Sequence, residues 1–471
     1  METAPVDEAV RTARTAEARF LRAFAYFNMV KRYGGVPLIL KAQQLSDSPE
    51  ELYPKRATEE AVYQFILDEM NDIIDNRLLP DAYGAADLGR PTLYAAAALK
   101  SRAAMYAGSI ASWGTVQIDG LVGIPADKKE HFWQESLNAS NRLLYGSPFA
   151  LYEKYPDDRS KNYRNIFLDE NNCEVIFSEI YDGKSGKGHS WDMWQNPSGY
   201  NAWAGGQQNC VYLEFVESYE NIDGSDPTID REKVAQYYTW TLDELWGKKD
   251  PRFKASIYTQ GTPWTHEGAS VTLDYHVGIF VDGQWINDGF YEGVPALGVC
   301  ANNWRPTPFG ILKYLDESSA MIPERYYSKT DWIVFRLGEI YLNFAEAAFE
   351  LNKPDSALWA VNKIRARAGM PELQSITREQ IRHERKIELA FEGNRYWDVR
   401  RWRTAVQDLS HAWHGMRYKL DWATQKYYVE IVDNICGTPE PYFNEMHYYW
   451  PIAQSRTQQN PNLLPNNPGW R

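Results

Sequence analysis

The stretch DWIVFRLGEIYLNFAEAAFELNKPDSALWAVNKIRARAG, residues 331–369, decides the fold class. Ile333, Leu337, Ile340, Tyr341, Phe344, Ala348 and Leu351 recur at three- and four-residue steps, the period of one apolar helix face. Pro354 lacks only an N–H that a first helical turn leaves unused, so it opens a second helix through Leu358, Val361 and Ile364. Helices joined by so short a turn pack as an antiparallel pair.

Leu337-Gly338 with Tyr341 matches the first half of a tetratricopeptide repeat, but Pro354 arrives too early for its 34-residue period. Downstream, Thr377 and Gln380 have capping-box spacing, with Ile376 and Ile381 placed as a hydrophobic staple. Upstream, Phe20, Phe24 and Phe27 with Leu21 and Val30 form a helical stripe that Gly34, Gly35 and Pro37 end. Thr58 caps a helix through Val62, Phe65, Ile66, Met70 and Ile73. A third follows Pro91, where Ala95–Ala98, Ala103, Ala104 and Ala107 admit a close neighbour.

The 471 residues carry 63 Asp and Glu against 50 Lys and Arg, a net charge of −13, which argues against a general nucleic-acid or anionic-membrane binder. With 44% hydrophobic residues and 14% aromatic, the chain buries a large core. Its longest apolar run, Leu93–Leu99, is far short of the ~20 residues of a membrane span. The four cysteines, Cys173, Cys210, Cys300 and Cys436, form no CxxC pair and allow three disulfide pairings without deciding among them.

Residues 116–330 hold 31 acidic and 19 basic side chains and 19 of the 31 glycines, so this stretch is turn-rich and presents loops. Within it, GKSGKGHSWDMWQNPSGYNAWAGG, residues 183–206, sets Trp191, Trp194, Tyr200 and Trp203 among glycines with Asn196 and Asn201. A flat indole covers the C–H face of a sugar ring while amide side chains bond its hydroxyls. About 100 Å² of covered ring contributes roughly 2.5 kcal/mol, against the ~8 kcal/mol of micromolar binding. Two or three such rings with hydrogen bonds are therefore required. Trp264, Trp285 and Trp304, all near turn residues, and Arg305, a helper for acidic sugars together with Lys184 and Lys187, complete the candidate ligand set. The competing reading has these rings packed down into a loop-covered core. Trp332, Trp359, Trp397 and Trp402 follow helical patterns and are read as core.

Zinc-protease, serine-hydrolase, dinucleotide and Walker motifs are absent, and the eight histidines form no ligand set, His411 and His414 having no carboxylate at helical spacing. A glycosidase needs two carboxylates ~5–9 Å apart; Asp192, Glu214, Asp288 and Glu292 are nominees within 180–300, with solvated surface charge as the alternative. Asp223, Ser225 and Asp226 around Gly224 suggest either a structural calcium site or a plain Asp-Gly turn. No other cofactor and no catalytic residue is expected.

Taken together, Glu17-Ala-Arg-Phe-Leu-Arg22, Tyr33-Gly-Gly-Val-Pro-Leu38, the 331–347 stretch, Glu384-Arg-Lys-Ile-Glu-Leu-Ala-Phe-Glu-Gly393 with Arg395, Asp398, Arg401 and Trp402, and the ending Trp450-Pro-Ile-Ala453 to Trp470 resemble the SusD/RagB family. Phe215–Glu220, Asp223-Gly224 and Asp250-Pro-Arg-Phe253 add to the resemblance, which covers nearly the whole chain. It implies a mainly α fold of tetratricopeptide-like helix pairs forming a scaffold, with a loop-rich irregular insertion carrying short strands. The expected single unit comprises an N-terminal helical part at 1–147, a ligand-presenting part at 148–330, a C-terminal helical part at 331–403 and an irregular segment at 404–471.

The resemblance also implies non-catalytic capture of oligo- or polysaccharides for a SusC-like TonB-dependent transporter at the outward face of the cell outer membrane. The family's signal peptide, lipid-bearing cysteine and following segment do not precede Glu17, so the chain is expected to be truncated there. Membrane association would run through that lipid anchor alone. A glycoside hydrolase and a helical-repeat scaffold for a protein partner are the rival functions. Glu384, Glu388 and Arg395 are read as an ion-pair network at helix ends, and neutral glycans are favoured over acidic ones by the charge of the middle segment.

Overall fold

The computed structural model describes residues 5–183, 186–200, 206–301, 307–317, 327–436 and 441–470. Its frame is a layer of long helices: Glu8–Tyr33, Glu59–Asp75, Leu93–Trp113, Lys129–Gly146, Leu337–Glu350, Pro354–Ala368 and Arg378–Glu388. The Leu93–Trp113 helix runs through the middle, with Ala95–Ala98, Ala103, Ala104 and Ala107 wholly buried. Its small side chains bring neighbours close: a Cβ on Gly108 would stand 2.8 Å from the Trp133 ring, so only glycine fits there. The caps act as the sequence indicates. Thr58 accepts the Ala61 N–H, and Thr377 with Gln380 forms a complete capping box.

Two elements differ from expectation. The apolar stripe beginning at Ile333 divides into a strand, Trp332–Arg336, and a helix from Leu337, because the strand is claimed by an antiparallel partner, Val175–Glu179. The segment 404–471, expected to be irregular, carries a hairpin of Gly415–Asp421 and Lys426–Val432 at the centre of a five-stranded sheet. Gly415–Asp421 pairs in parallel with His276–Val281, and Met416 and Tyr418 belong to a second core with Trp246, Phe253 and Tyr258.

Between the helical layer and this second core lies a buried ionic cluster. Glu388 accepts Arg252 Nη1 at 2.9 Å and Arg336 Nη1 at 2.7 Å, and is paired with Arg367. Glu174 bridges Arg336 and Arg367 at 2.8 Å each, and Glu384 joins Arg252 to Arg365. The side chains of Arg252, Arg336 and Arg367 are each 1% exposed, so the charges are fully withdrawn from water. Glu384 and Glu388 thus sit where the sequence reading puts them, but Arg395 does not: it lies at the periphery, 3.4 Å from Asp408.

Candidate functional site

The short helix Trp191–Gln195 puts Trp191 and Trp194 three residues apart, hence on one side, while Asp192 and Met193 turn inward and are buried. Both indoles line a cleft of ≈ 360 Å³ whose walls also include Tyr181, His189, Tyr314 and Trp332. Tyr314 and Trp332 stack with centroids 4.9 Å apart and planes 26° from parallel. Tyr181 stands edge-on to His189 at 4.8 Å. Ser190, Gln195 and Thr330 supply the polar groups along this aromatic lining. The arrangement suits a ligand with apolar faces and hydroxyl edges.

Hydrogen bonds fix the rings from behind. The Trp191 indole N–H donates to the Lys313 carbonyl at 3.1 Å, and Tyr258 O–H donates to the Gln195 carbonyl at 2.6 Å. The Trp191 backbone N–H faces His189 Nδ1 at 3.2 Å while His189 Nε2 faces the Thr330 carbonyl at 2.8 Å. That pattern requires a neutral ring with its proton on Nε2. Burial pushes the His189 pKa down, which favours the neutral form.

Asp192, one of the nominated acids, is not on the cleft lining; it is buried beneath it and accepts the Asp316 N–H at 3.0 Å. Burial pushes its pKa up to about 7. The folded state therefore holds the proton more tightly than the unfolded chain, so the stabilisation is complete below about 3.8 and is lost as pH rises through about 7. Asp192→Asn is expected to remove this loss. Its melting temperature relative to wild type should rise from about pH 5 to about pH 8, and a constant difference in calorimetry would refute the assignment.

The other nominated acids are placed elsewhere. Glu214 accepts the His414 backbone N–H at 3.0 Å and is paired with the ring, giving that histidine a carboxylate partner 200 residues away in sequence. Asp288 is exposed and accepts the Gly289 N–H, and Glu292 is exposed with φ of 48°. Asp223 accepts the Ser225 N–H and O–H and pairs with Lys248 at 2.7 Å, while Asp226 takes the Thr228 N–H and O–H. These bonds are those of tight polar turns.

Several expected ligand residues lie away from this cleft. Trp264 is only 2% exposed and meets Tyr258 edge-on in the second core, because its strand Pro263–His266 turns that side inward. Asn196, 1% exposed, spends its amide on the Tyr200 carbonyl at 2.7 Å. Tyr200 leans on His266 at 4.7 Å, away from the cleft lining. Trp285 belongs to an aromatic group with Phe280 and Tyr428 on the five-stranded sheet. Asn201, Trp203, Trp304, Arg305 and Lys184 lie outside the described residues. Conversely, Trp332 was read as helical core and instead forms a cleft wall from a strand. Tyr181 and Tyr314 carried no distinguishing local signal. The three come from segments far apart in the chain and meet only in the folded protein, Tyr181 beside the Val175–Glu179 strand paired to that of Trp332 and Tyr314 by stacking on Trp332.

The family model described as "SusD family" matches residues 173–470, and one described as "Starch-binding associating with outer membrane" matches residues 4–105. A SusD-like protein of Bacteroides ovatus is 24% identical, covering 88% of this chain and 64% of its own length. SusD-like protein P25 of Formosa agariphila is 24% identical over 97% of this chain and 73% of its own length. This chain thus spans less than two thirds of the Bacteroides ovatus relative. Among solved structures, a SusD-like protein of Bacteroides fragilis superposes with a TM-score of 0.75 at 26% identity, covering 99% of this chain and 82% of that one. A mainly helical frame with small sheets, shared with that structure, and a family model that spans more than half of the sequence give one conclusion: the chain belongs to the SusD family.

Proposed function

We propose that this protein captures glycans in the Trp191–Trp194–Tyr314–Trp332 cleft without cleaving them. The observation that carries the reading is the composition of that cleft: five large aromatic rings, Tyr181 and the four just named, from four chain segments around ≈ 360 Å³, with uncharged polar groups between them. A starch-binding, outer-membrane-associated description of one matching family model supports the same ligand class. Delivery to a SusC-like TonB-dependent transporter, and residence on the outward face of the outer membrane through a lipid anchor, extend the proposal along the family's lines. Among the described residues no helix is long and apolar enough to cross a membrane, which is compatible with such an anchor.

Neutral glycans are favoured. The described cleft lining holds no Lys or Arg, so it offers no cation to pair a uronate or sulfate. Retardation in native gels cast with neutral and acidic polysaccharides tests the reading: slowed migration in at least one neutral polysaccharide is expected. Migration unchanged across the panel, or reducing ends that accumulate with time, would overturn it.

A further inference from the structure

We infer that Glu392 is the positioning residue of the cleft, one carboxylate that clamps both chain segments presenting the stacked pair Tyr314 and Trp332. Its Oε1 accepts Lys313 Nζ at 2.6 Å and Arg336 Nη2 at 2.7 Å, and its Oε2 accepts Arg336 Nε at 2.7 Å. Lys313 immediately precedes Tyr314, and Arg336 ends the strand that begins with Trp332. The same lysine donates to Tyr163 Oη and to the Ala390 carbonyl at 2.8 Å each, and its own carbonyl receives the Trp191 indole N–H. Three rings of the cleft are thereby referred to a single buried anchor, whose side chain is 5% exposed.

Backbone geometry shows why an anchor is needed. Tyr314 sits at φ of 65°, a left-handed conformation that strains a residue bearing a side chain. Left to itself this residue would relax and carry its ring off Trp332. The clamp on one side, with Phe167 at 4.8 Å and Trp332 at 4.9 Å on the other, holds it in place. Glu392 is itself presented by a turn in which Phe391 is held at φ of 62° and braced by Phe215 at 5.4 Å. Strain of this kind persists where surrounding contacts over-determine it, which is the condition for a preset binding surface.

The consequence for affinity rests on the glycan reading; the clamp itself does not. Hydrogen exchange of the unliganded protein separates the two. Glu392→Gln keeps the side-chain volume and removes the charge. It should speed exchange severalfold at 311–316 and at 332–336 while leaving the Leu93–Trp113 helix unchanged. Lys313→Met, which cuts only one arm, should loosen 311–316 and spare 332–336; it decides the matter if the first variant does not fold. Both variants should weaken retention by a polysaccharide that wild type binds, by about tenfold. Unchanged exchange in both walls, or an equal increase throughout the helical layer, overturns the clamp. Exchange as expected in a protein that retains no polysaccharide would leave the clamp standing and the glycan reading refuted.

Discussion

Replacing Glu388 by alanine is expected to lower the unfolding free energy by about 4 kcal/mol or more. Glu388 is wholly buried and faces Arg252, Arg336 and Arg367, each withdrawn from water. Glu388 is the one carboxylate common to all three, so its removal leaves each guanidinium with a buried hydrogen bond unmade, which the remaining partners Glu174, Glu384 and Glu392, already bonded elsewhere, do not replace. Burial alone would push the Glu388 pKa upward, but the three guanidiniums outweigh it and hold the group well below the ordinary carboxylate range. The sign for pH follows. A depressed folded-state value contributes stability present above about 4.5 and lost as pH falls below it. Wild type should therefore lose stability steeply in acid, and Glu388→Gln should show a shallower acid limb from a lower starting point. Urea unfolding at pH 7 and pH 4 reads both quantities. A midpoint for Glu388→Ala close to wild type would mean that the three arginines find other partners or water, and that the cluster does not brace the two cores.

How much of this was legible in the sequence depends on the range of the interaction. The Thr377–Gln380 capping box and the Thr58 cap are contacts three residues apart, and both form as read. Glu384 and Glu388 stand four apart on one helix face, so their common destination was readable. Their partners Arg252 and Arg336 were not, being 136 and 52 residues from Glu388. Trp332 was misread because Ile333, Leu337 and Ile340 fit a helical stripe as well as a strand followed by a helix; pairing with Val175–Glu179 settles the choice, and it is non-local. The hairpin within 404–471 left a visible alternation, Met416, Tyr418 and Leu420 inward against Arg417 and Lys419 outward. Its place at the sheet centre depends on a parallel partner about 140 residues earlier. That Trp191 and Trp194 share one side of the chain was readable because their spacing is local, and both line the cleft. Trp264 failed as a ligand candidate because nearby turn residues report a loop's presence, not which side of it faces water.

The second large effect concerns the cleft, and it tests whether its two walls grip one ligand. Trp194→Ala and Trp332→Ala are each expected to weaken glycan binding by about 2 kcal/mol, roughly thirtyfold, if each indole covers ~100 Å² of sugar face. Both side chains are partly exposed on the cleft lining. Trp332→Ala also strips a stacking partner from strained Tyr314, so its loss should exceed that of Trp194→Ala. The double variant then discriminates between geometries. If the rings contact separate sugar units, the losses add to about a thousandfold. If they close on the same unit, the first truncation already frees the sugar and the second costs much less. Isothermal titration with oligosaccharides of increasing length gives the same distinction independently, since separate subsites predict an affinity that keeps rising with chain length, whereas one shared site predicts an early plateau. Binding that neither substitution alters by even threefold, in variants whose melting temperatures match wild type, would remove this cleft from glycan recognition altogether.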